Sequence, residues 1–204
     1  MGIVERKERQ KKEVRESILQ AAWKLVQEEG WQSLSIRKIA DAIEYSVPVI
    51  YDHFENKEAI LYEFSKQGFR LLGDRLNEEK KKHTDPALQL EAMAYGYWDF
   101  AFEHKEHYQV MFGLGMPRCE QVKKMQEIMD FTEIIKTTIE QISEQWGVPV
   151  ESFLKLNSFW SMLHGLVSIN LMTPTATHND VSPDELNSMI LSDYITGFLK
   201  GLKG

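Results

Sequence analysis

Residues 46–60 read SVPVIYDHFENKEAI, and the proline in that run constrains the fold more than any bulk property. Proline locks φ near −65° and has no amide hydrogen, so a helix accepts it only in its first turn. Ser46 is then the N-cap candidate, with Val47 and Pro48 opening a helix. Ile50 and Phe54 fall four apart and point inward, while Tyr51, Asp52 and His53 need not. Asn56 is placed to cap a further helix through Ile60, Leu61, Phe64, Leu71 and Leu72 to about Lys82. Upstream, Val14, Ile18, Ala21, Ala22, Leu25 and Val26 recur at helical spacing and stop at Gly30. Ser35 precedes Ile36, Ile39, Ala40 and Ile43, a short helix with its own cap candidate. Three helices in the first 54 residues, the second and third joined tightly, describe a helix-turn-helix. Its second helix is the one that enters a major groove.

The charge distribution agrees with that reading, although the total does not. The net charge is −7, yet residues 6–15 hold six Lys/Arg against two acids. Residues 1–57 carry ten charges of each sign, so 58–204 hold the whole deficit, fourteen basic against twenty-one acidic. A basic end on an acidic body suits a chain that meets phosphate at one end only. No run approaches the roughly 18 apolar residues needed to span a bilayer. The first residues, MGIVERKERQKKEVRE, lack the apolar stretch of a signal peptide, and a lone Cys119 cannot form an internal disulfide. The expectation is a cytoplasmic protein with no membrane partner.

Beyond residue 57 the periodicity stays helical, so the fold class expected is all-α. It comprises a DNA-binding domain over 1–56 with a basic N-terminal arm, and a helical-bundle regulatory and dimerisation domain over 57–204. Tyr95, Trp98 and Phe102 share one helix face, and Met111 and Phe112 follow in the next helix. Val122, Met125 and Met129 form one stripe, and Ile128, Phe131, Ile135, Ile139 and Ile142 another. A later helix is apolar on two faces, one with Leu156, Trp160, Leu163, Val167 and Leu171, the other with Phe159, Met162, Leu166 and Ile169. A helix apolar on two faces must bury both. The last helix carries Leu191, Tyr194, Ile195, Phe198 and Leu202, and the segment TPTATHNDVSP (173–183) reads as the loop before it.

Residues 16–61, ESILQAAWKLVQEEGWQSLSIRKIADAIEYSVPVIYDHFENKEAIL, resemble the DNA-binding domain of TetR-family transcriptional repressors. The Ala21–Ala22 pair, the Gly30–Trp31 step, Ile39–Ala40, and Tyr51, Phe54 and Lys57 at fixed offsets carry the resemblance. Two positions depart from the pattern: members commonly have glycine where this chain has Glu44 and Pro48. Glu44 strains the turn and sets an acid near phosphate. YWDFAFEHKEHYQVMF (97–112) and FWSMLHGLVSI (159–169) are similar to a C-terminal regulatory domain with a Trp…His-Gly signature, here Trp160, His164 and Gly165. The resemblance implies a homodimeric repressor that binds a palindromic operator and is released by a small effector; the aromatic and methionine density of residues 95–135, not the signature, points to a largely apolar or aromatic one. The resemblance implies no enzymatic activity and no cofactor.

Physical chemistry assigns the contacts residue by residue. Lys57 starts a helix, so its ammonium and the free N–H groups beside it suit one phosphate. Tyr51 either reaches phosphate through its phenol or is a plain surface aromatic, Ser35 either serves helix and phosphate at once or is a cap alone, and His53 either contacts phosphate or caps its helix. Arg37 and Lys38 open the second helix, and an arginine there can read guanine bidentately. Tyr45, Ser46, Val47, Pro48 and Val49 present the base-facing surface, the valines offering only contact with thymine methyls. For the effector, the density of aromatic and methionine side chains between 95 and 135 points to Tyr95, Trp98, Phe102, Met111, Phe112, Met125, Met129 and Phe131, with Trp160 and His164 beyond. A twofold interface is expected from Phe153, Leu156, Leu163, Val167, Leu171, Leu191, Tyr194 and Phe198. His104 and His107 with Glu103 and Glu106 make no complete metal site, Cys119 has no neighbouring base, and FGLGMP lacks the lysine of a phosphate loop. The alternative from another class is an all-helical ligand carrier or enzyme with a vestigial helix-turn-helix; a third is constitutive DNA binding without an effector.

Overall fold

The computed structural model describes residues 2–113, 125–172 and 181–203. The described residues are all-α, with no strand. Val122 and Cys119 lie outside them, as does most of the loop expected at 173–183. The chain divides into two compact units, one of residues up to 68 with 105–113, the other of 69–104 with 125–172 and 181–203.

The first unit begins with α1 (Ile3–Glu29), which ends at Gly30 with that residue's N–H on the Val26 carbonyl, 2.8 Å. A short 3₁₀ turn (Trp31–Ser33) leads to α2 (Ile36–Ala42) and α3 (Val47–Tyr51). The long helix α4 (Lys57–Lys81) follows; Asn56 caps it by accepting from the Ala59 N–H at 2.8 Å. The unit is completed by α6 (Lys105–Phe112). Its core joins Ile18, Ala22 and Val26 of α1 to Ile39, Ala40, Ile50 and Phe54, with Ile60, Phe64 and Val110 closing it. Two polar anchors fix α6 on that core: the Trp31 indole N–H donates to the Glu106 carbonyl at 2.8 Å, and the Ser65 hydroxyl to the Val110 carbonyl at 3.2 Å.

The second unit contains the rest of α4, then α5 (Pro86–Glu103), α7 (Gln126–Trp146), α8 (Ser152–Met172) and α9 (Pro183–Lys203). Asp85 starts α5 by accepting from the Ala87 and Leu88 N–H groups at 2.8 and 3.1 Å. Those donors and the Gln145 amide, foremost the Leu88 N–H, hold its carboxyl below the usual range. Met125 stands at the N-cap of α7, ahead of the stripe in which the sequence places it. Asn187 of α9 donates to the Asn170 side-chain oxygen of α8 at 3.0 Å, a buried polar bond. The Tyr194 hydroxyl reaches the Phe159 and Ser158 carbonyls at 3.2 and 3.3 Å, and burial pushes its phenol pKa up.

Candidate nucleic-acid interface and effector region

The helix-turn-helix is built from ordinary capping chemistry. Ser35 opens α2 by accepting the Lys38 N–H at 3.2 Å. Its C-terminus closes with two returning bonds, Tyr45 N–H to the Ala40 carbonyl at 3.0 Å and Glu44 N–H to that of Asp41 at 3.3 Å. That is the Schellman pattern, in which the residue just after the C-cap Ile43 must be left-handed. Glu44 obliges with φ 58°. Helix α3 then starts at Ser46, whose side chain makes no capping bond, with Pro48 in the first turn. Ile50 is fully buried and Phe54 nearly so, and the Arg15 guanidinium sits 4.7 Å over the Phe54 ring while pairing with Glu63 at 2.9 Å. The anchors are therefore Ile50 of α3 and Phe54 just beyond it, while Pro48 and Tyr51 are presented to solvent and Val49 to the groove beside α1.

All eleven residues with an expected DNA contact lie in this unit. Tyr45 and Tyr51 are about half exposed, and Arg37, Ser46 and Pro48 are exposed. Ser35, Val47, Val49, His53 and Lys57 are half-buried. Val47, expected to face outward, packs against the core instead, because its neighbour Ile50 draws that side of α3 inward. Lys38 is paired with Glu29, whose carboxyl the lysine's hydrogen bond and charge hold below its usual range. The Lys57 ammonium donates to the Trp31 carbonyl at 3.4 Å, which leaves two of its three donors uncommitted by that bond.

Beside α3 runs a groove of about 530 Å³, walled by Lys7, Gln10, Lys11 and Val14 of α1 and by Tyr45, Val49, Asp52 and His53. The sequence marks the arm at 6–15 as basic but does not say which of its charges face α3. His53 Nδ1 is buried there with no hydrogen-bond partner among the described residues. Burial first, then the charges of Lys11 and Arg15, lower the His53 pKa against the opposing pull of Asp52.

The expected effector residues divide between the units. Met111 and Phe112 belong to the first, and the other eight to the second. Among those eight, Met125 and Phe131 are buried, Tyr95, Trp98, Trp160 and His164 half-buried, and Phe102 and Met129 exposed. Phe131 meets Trp160 edge-on at 5.3 Å and lies 6.0 Å from Phe69 and 6.4 Å from Tyr97. The Trp160 indole donates to the Tyr97 hydroxyl at 3.3 Å. Sequence reading missed Phe69 and Tyr97; the i, i+3 spacing of Tyr97 and Phe100 was the available signal. His164 Nε2 stands 3.4 Å from the Ser168 hydroxyl, and burial lowers the His164 pKa. Of the expected interface residues, Leu156, Leu163, Val167 and Leu191 are buried within the chain itself and offer no surface to another copy. Phe153 is exposed and Leu171, Tyr194 and Phe198 half-buried. The exposed apolar side chains of α8 and α9 include Leu154, Met162, Ile169, Met172, Met189 and Ile190.

Among the described residues, no helix is long and apolar enough to cross a membrane, and no group of three or more His, Cys, Asp or Glu is placed to hold a metal ion. Fold and site together define a helix-turn-helix protein with a second, all-helical unit. Residues 18–70 match the family of bacterial regulatory proteins of the tetR family, and residues 90–194 match the tetracyclin repressor-like C-terminal domain. The chain belongs to the TetR family of transcriptional regulators. No curated protein matches it significantly. Solved structures share the fold over nearly the whole length. A protein of unknown function from Rhodococcus sp. RHA1 matches at TM-score 0.74 and 19% identity, covering 93% of this chain and 95% of its own. The transcriptional regulator FadR from Bacillus subtilis, in complex with stearoyl-CoA, matches at 0.68 and 18%, covering 90% and 96%. The TetR-family regulator PfmR from Thermus thermophilus matches at 0.64 and 22%, covering 93% and 97%.

Proposed function

We propose that the protein is a cytoplasmic homodimeric repressor that binds a palindromic operator and leaves it when a small, largely apolar or aromatic molecule occupies the second unit. One observation carries the DNA reading: α3 is anchored by Ile50 and Phe54 while Tyr45, Pro48 and Tyr51 remain in solvent. A helix of five residues reads few base pairs, so two copies on two half-sites supply the specificity. Leu154, Met162 and Ile169 of α8 with Met189 and Ile190 of α9 support a second copy as the partner that covers them. The division of labour falls near residue 57, DNA binding over 1–56 and regulation and dimerisation over 57–204.

For release, α4 is the lever, because this single helix begins at Lys57 and continues to Lys81. A ligand favouring a form with mis-spaced recognition helices needs only about 1.4 kcal/mol of differential binding for a tenfold loss of affinity. The aromatic cluster of Tyr97, Phe131 and Trp160 supports an apolar or aromatic effector, and the stearoyl-CoA bound by FadR is a ligand with a long apolar chain.

A mobility-shift assay on the DNA upstream of the protein's own gene tests this. The expected result is a shift at low salt with two chains per duplex, abolished in the folded Tyr51→Ala, Lys57→Ala double variant. Absence of any shift overturns it. The pairing of Lys38 with Glu29 and of Lys57 with Trp31 favours a second reading, a ligand carrier with a vestigial helix-turn-helix. A carrier shows ligand-induced thermal stabilisation with no DNA shift in either protein.

A further inference from the structure

We infer that the first turns of α1 form the second wall of the DNA seat, with Lys7 and Lys11 on backbone phosphates and His53 taking up a proton as the strand binds. This rests on the DNA-binding reading above and adds to it a named phosphate site and a pH dependence.

The charges of the arm sort by face. Arg9 pairs with Glu13 at 3.5 Å and Lys12 with Glu16 at 3.8 Å, one turn apart along α1. Lys7 and Lys11 make no ion pair among the described residues, and both line the groove beside α3. Four residues apart, they share a helix face and offer two uncompensated ammonium groups about one turn apart. Gln10 adds an amide donor on the same wall. Across the groove lies His53, whose Nδ1 is buried and unpartnered among the described residues. The charged groups facing it are Lys11 and Arg15 from α1 and Asp52 from its own turn, and Arg15 is itself paired with Glu63 of α4.

In the free protein, burial first and then the charges of Lys11 and Arg15 lower the His53 pKa from its ordinary value, against the opposing pull of Asp52. A phosphate in the groove reverses the sign, because an adjacent anion favours the imidazolium. Binding is then coupled to proton uptake, and affinity rises as pH falls. The limit of that coupling is about tenfold per pH unit for each copy of His53, one proton per site. The lysines act differently: each phosphate they neutralise adds about 0.9 to the slope of log affinity against log salt.

The test is fluorescence anisotropy of the full-length protein with a labelled duplex from upstream of its own gene and with a duplex of unrelated sequence. Titrations run from pH 7.5 to 5.5 at fixed ionic strength, and across salt at pH 7. Wild type is expected to gain at least threefold in affinity per pH unit at the acid end, and His53→Gln to lose most of that gain. Lys7→Ala with Lys11→Ala is expected to weaken both duplexes alike and lower the salt slope by one to two per copy. Equal pH slopes in wild type and His53→Gln overturn the proton-linked role, and an unchanged salt slope overturns the phosphate site. If wild type binds neither duplex, the DNA-binding reading falls as well, an outcome distinct from binding that ignores these substitutions.

Discussion

Two helix ends, one in each unit, close on the same pair of backbone hydrogen bonds and differ in the kind of residue that takes the left-handed conformation. At the end of α2 the Tyr45 and Glu44 N–H groups return to the Ala40 and Asp41 carbonyls at 3.0 and 3.3 Å. At the end of α7 the Val148 and Gly147 N–H groups return to the Ser143 and Glu144 carbonyls at 3.1 and 3.2 Å. The left-handed residue is Glu44 in the first, φ 58°, and Gly147 in the second, φ 65°. Glycine adopts that conformation freely, whereas a residue with a Cβ meets the following carbonyl at a cost of about 1–2 kcal/mol. Where a turn only stops a helix, the chain uses the unstrained residue. Where the turn also aims α3, strain is tolerated because the core on either side dictates the backbone, a distribution common at functional sites.

If the core holds the Glu44 turn, weakening the core breaks the comparison with the largest effect. Ile50 is fully buried between the two short helices and the rest of the unit. Ile50→Ala is expected to cost about 2–5 kcal/mol, read from the urea midpoint, and to abolish DNA binding even where the protein is still folded. Next comes the unstrained turn. Gly147→Ala is expected to destabilise by about 1 kcal/mol, since nothing lies within 4 Å of the added Cβ and the penalty is backbone conformation alone. A larger loss in thermal melts would mean that the α7 end is held by more than its hydrogen bonds.

The same contrast explains what could be read from sequence. Ser35, Pro48, Asn56, Ile50 and Phe54 were legible because caps and i, i+4 anchors act over a few residues, and the chain leaves few alternatives at such spacing. Glu44 was legible as a strained turn only through the resemblance, whose members commonly have glycine there. In α8 the signal fails: Leu156, Leu163 and Val167 turn inward while Leu154, Met162 and Ile169 stay in solvent. A helix apolar all round has no periodicity that says which face meets its own unit. The effector set suffers likewise, since aromatic density does not say that Met111 packs in one unit and Phe131 in the other, or that Phe102 is exposed.

Converting one turn into the other sharpens the comparison from the opposite side. Glu44→Gly is expected to stabilise by roughly 0.5–1 kcal/mol, less than the full strain because glycine also loosens the unfolded chain. Paired with Gly147→Ala, it reverses the assignment of strain between the two units while leaving every hydrogen bond in place. If Glu44→Gly instead lowers the thermal midpoint, the glutamate side chain stabilises the turn by a contact worth more than the strain.

Charge and strain at Glu44 separate in the smallest test. Glu44→Gln keeps the Cβ and hence the strain, so stability is expected to stay within about 0.5 kcal/mol of wild type. Glu44 is exposed, next to Tyr45 on the groove wall, so its carboxylate opposes an approaching phosphate. Removing that charge is expected to raise duplex affinity by roughly two- to fivefold at low salt, an advantage that shrinks as salt screens the interaction. Glu44→Gly carries the same loss of charge, so the two variants should gain DNA affinity alike and differ only in stability. A gain confined to Glu44→Gly would mean that relaxing the turn, rather than removing the acid, re-aims α3.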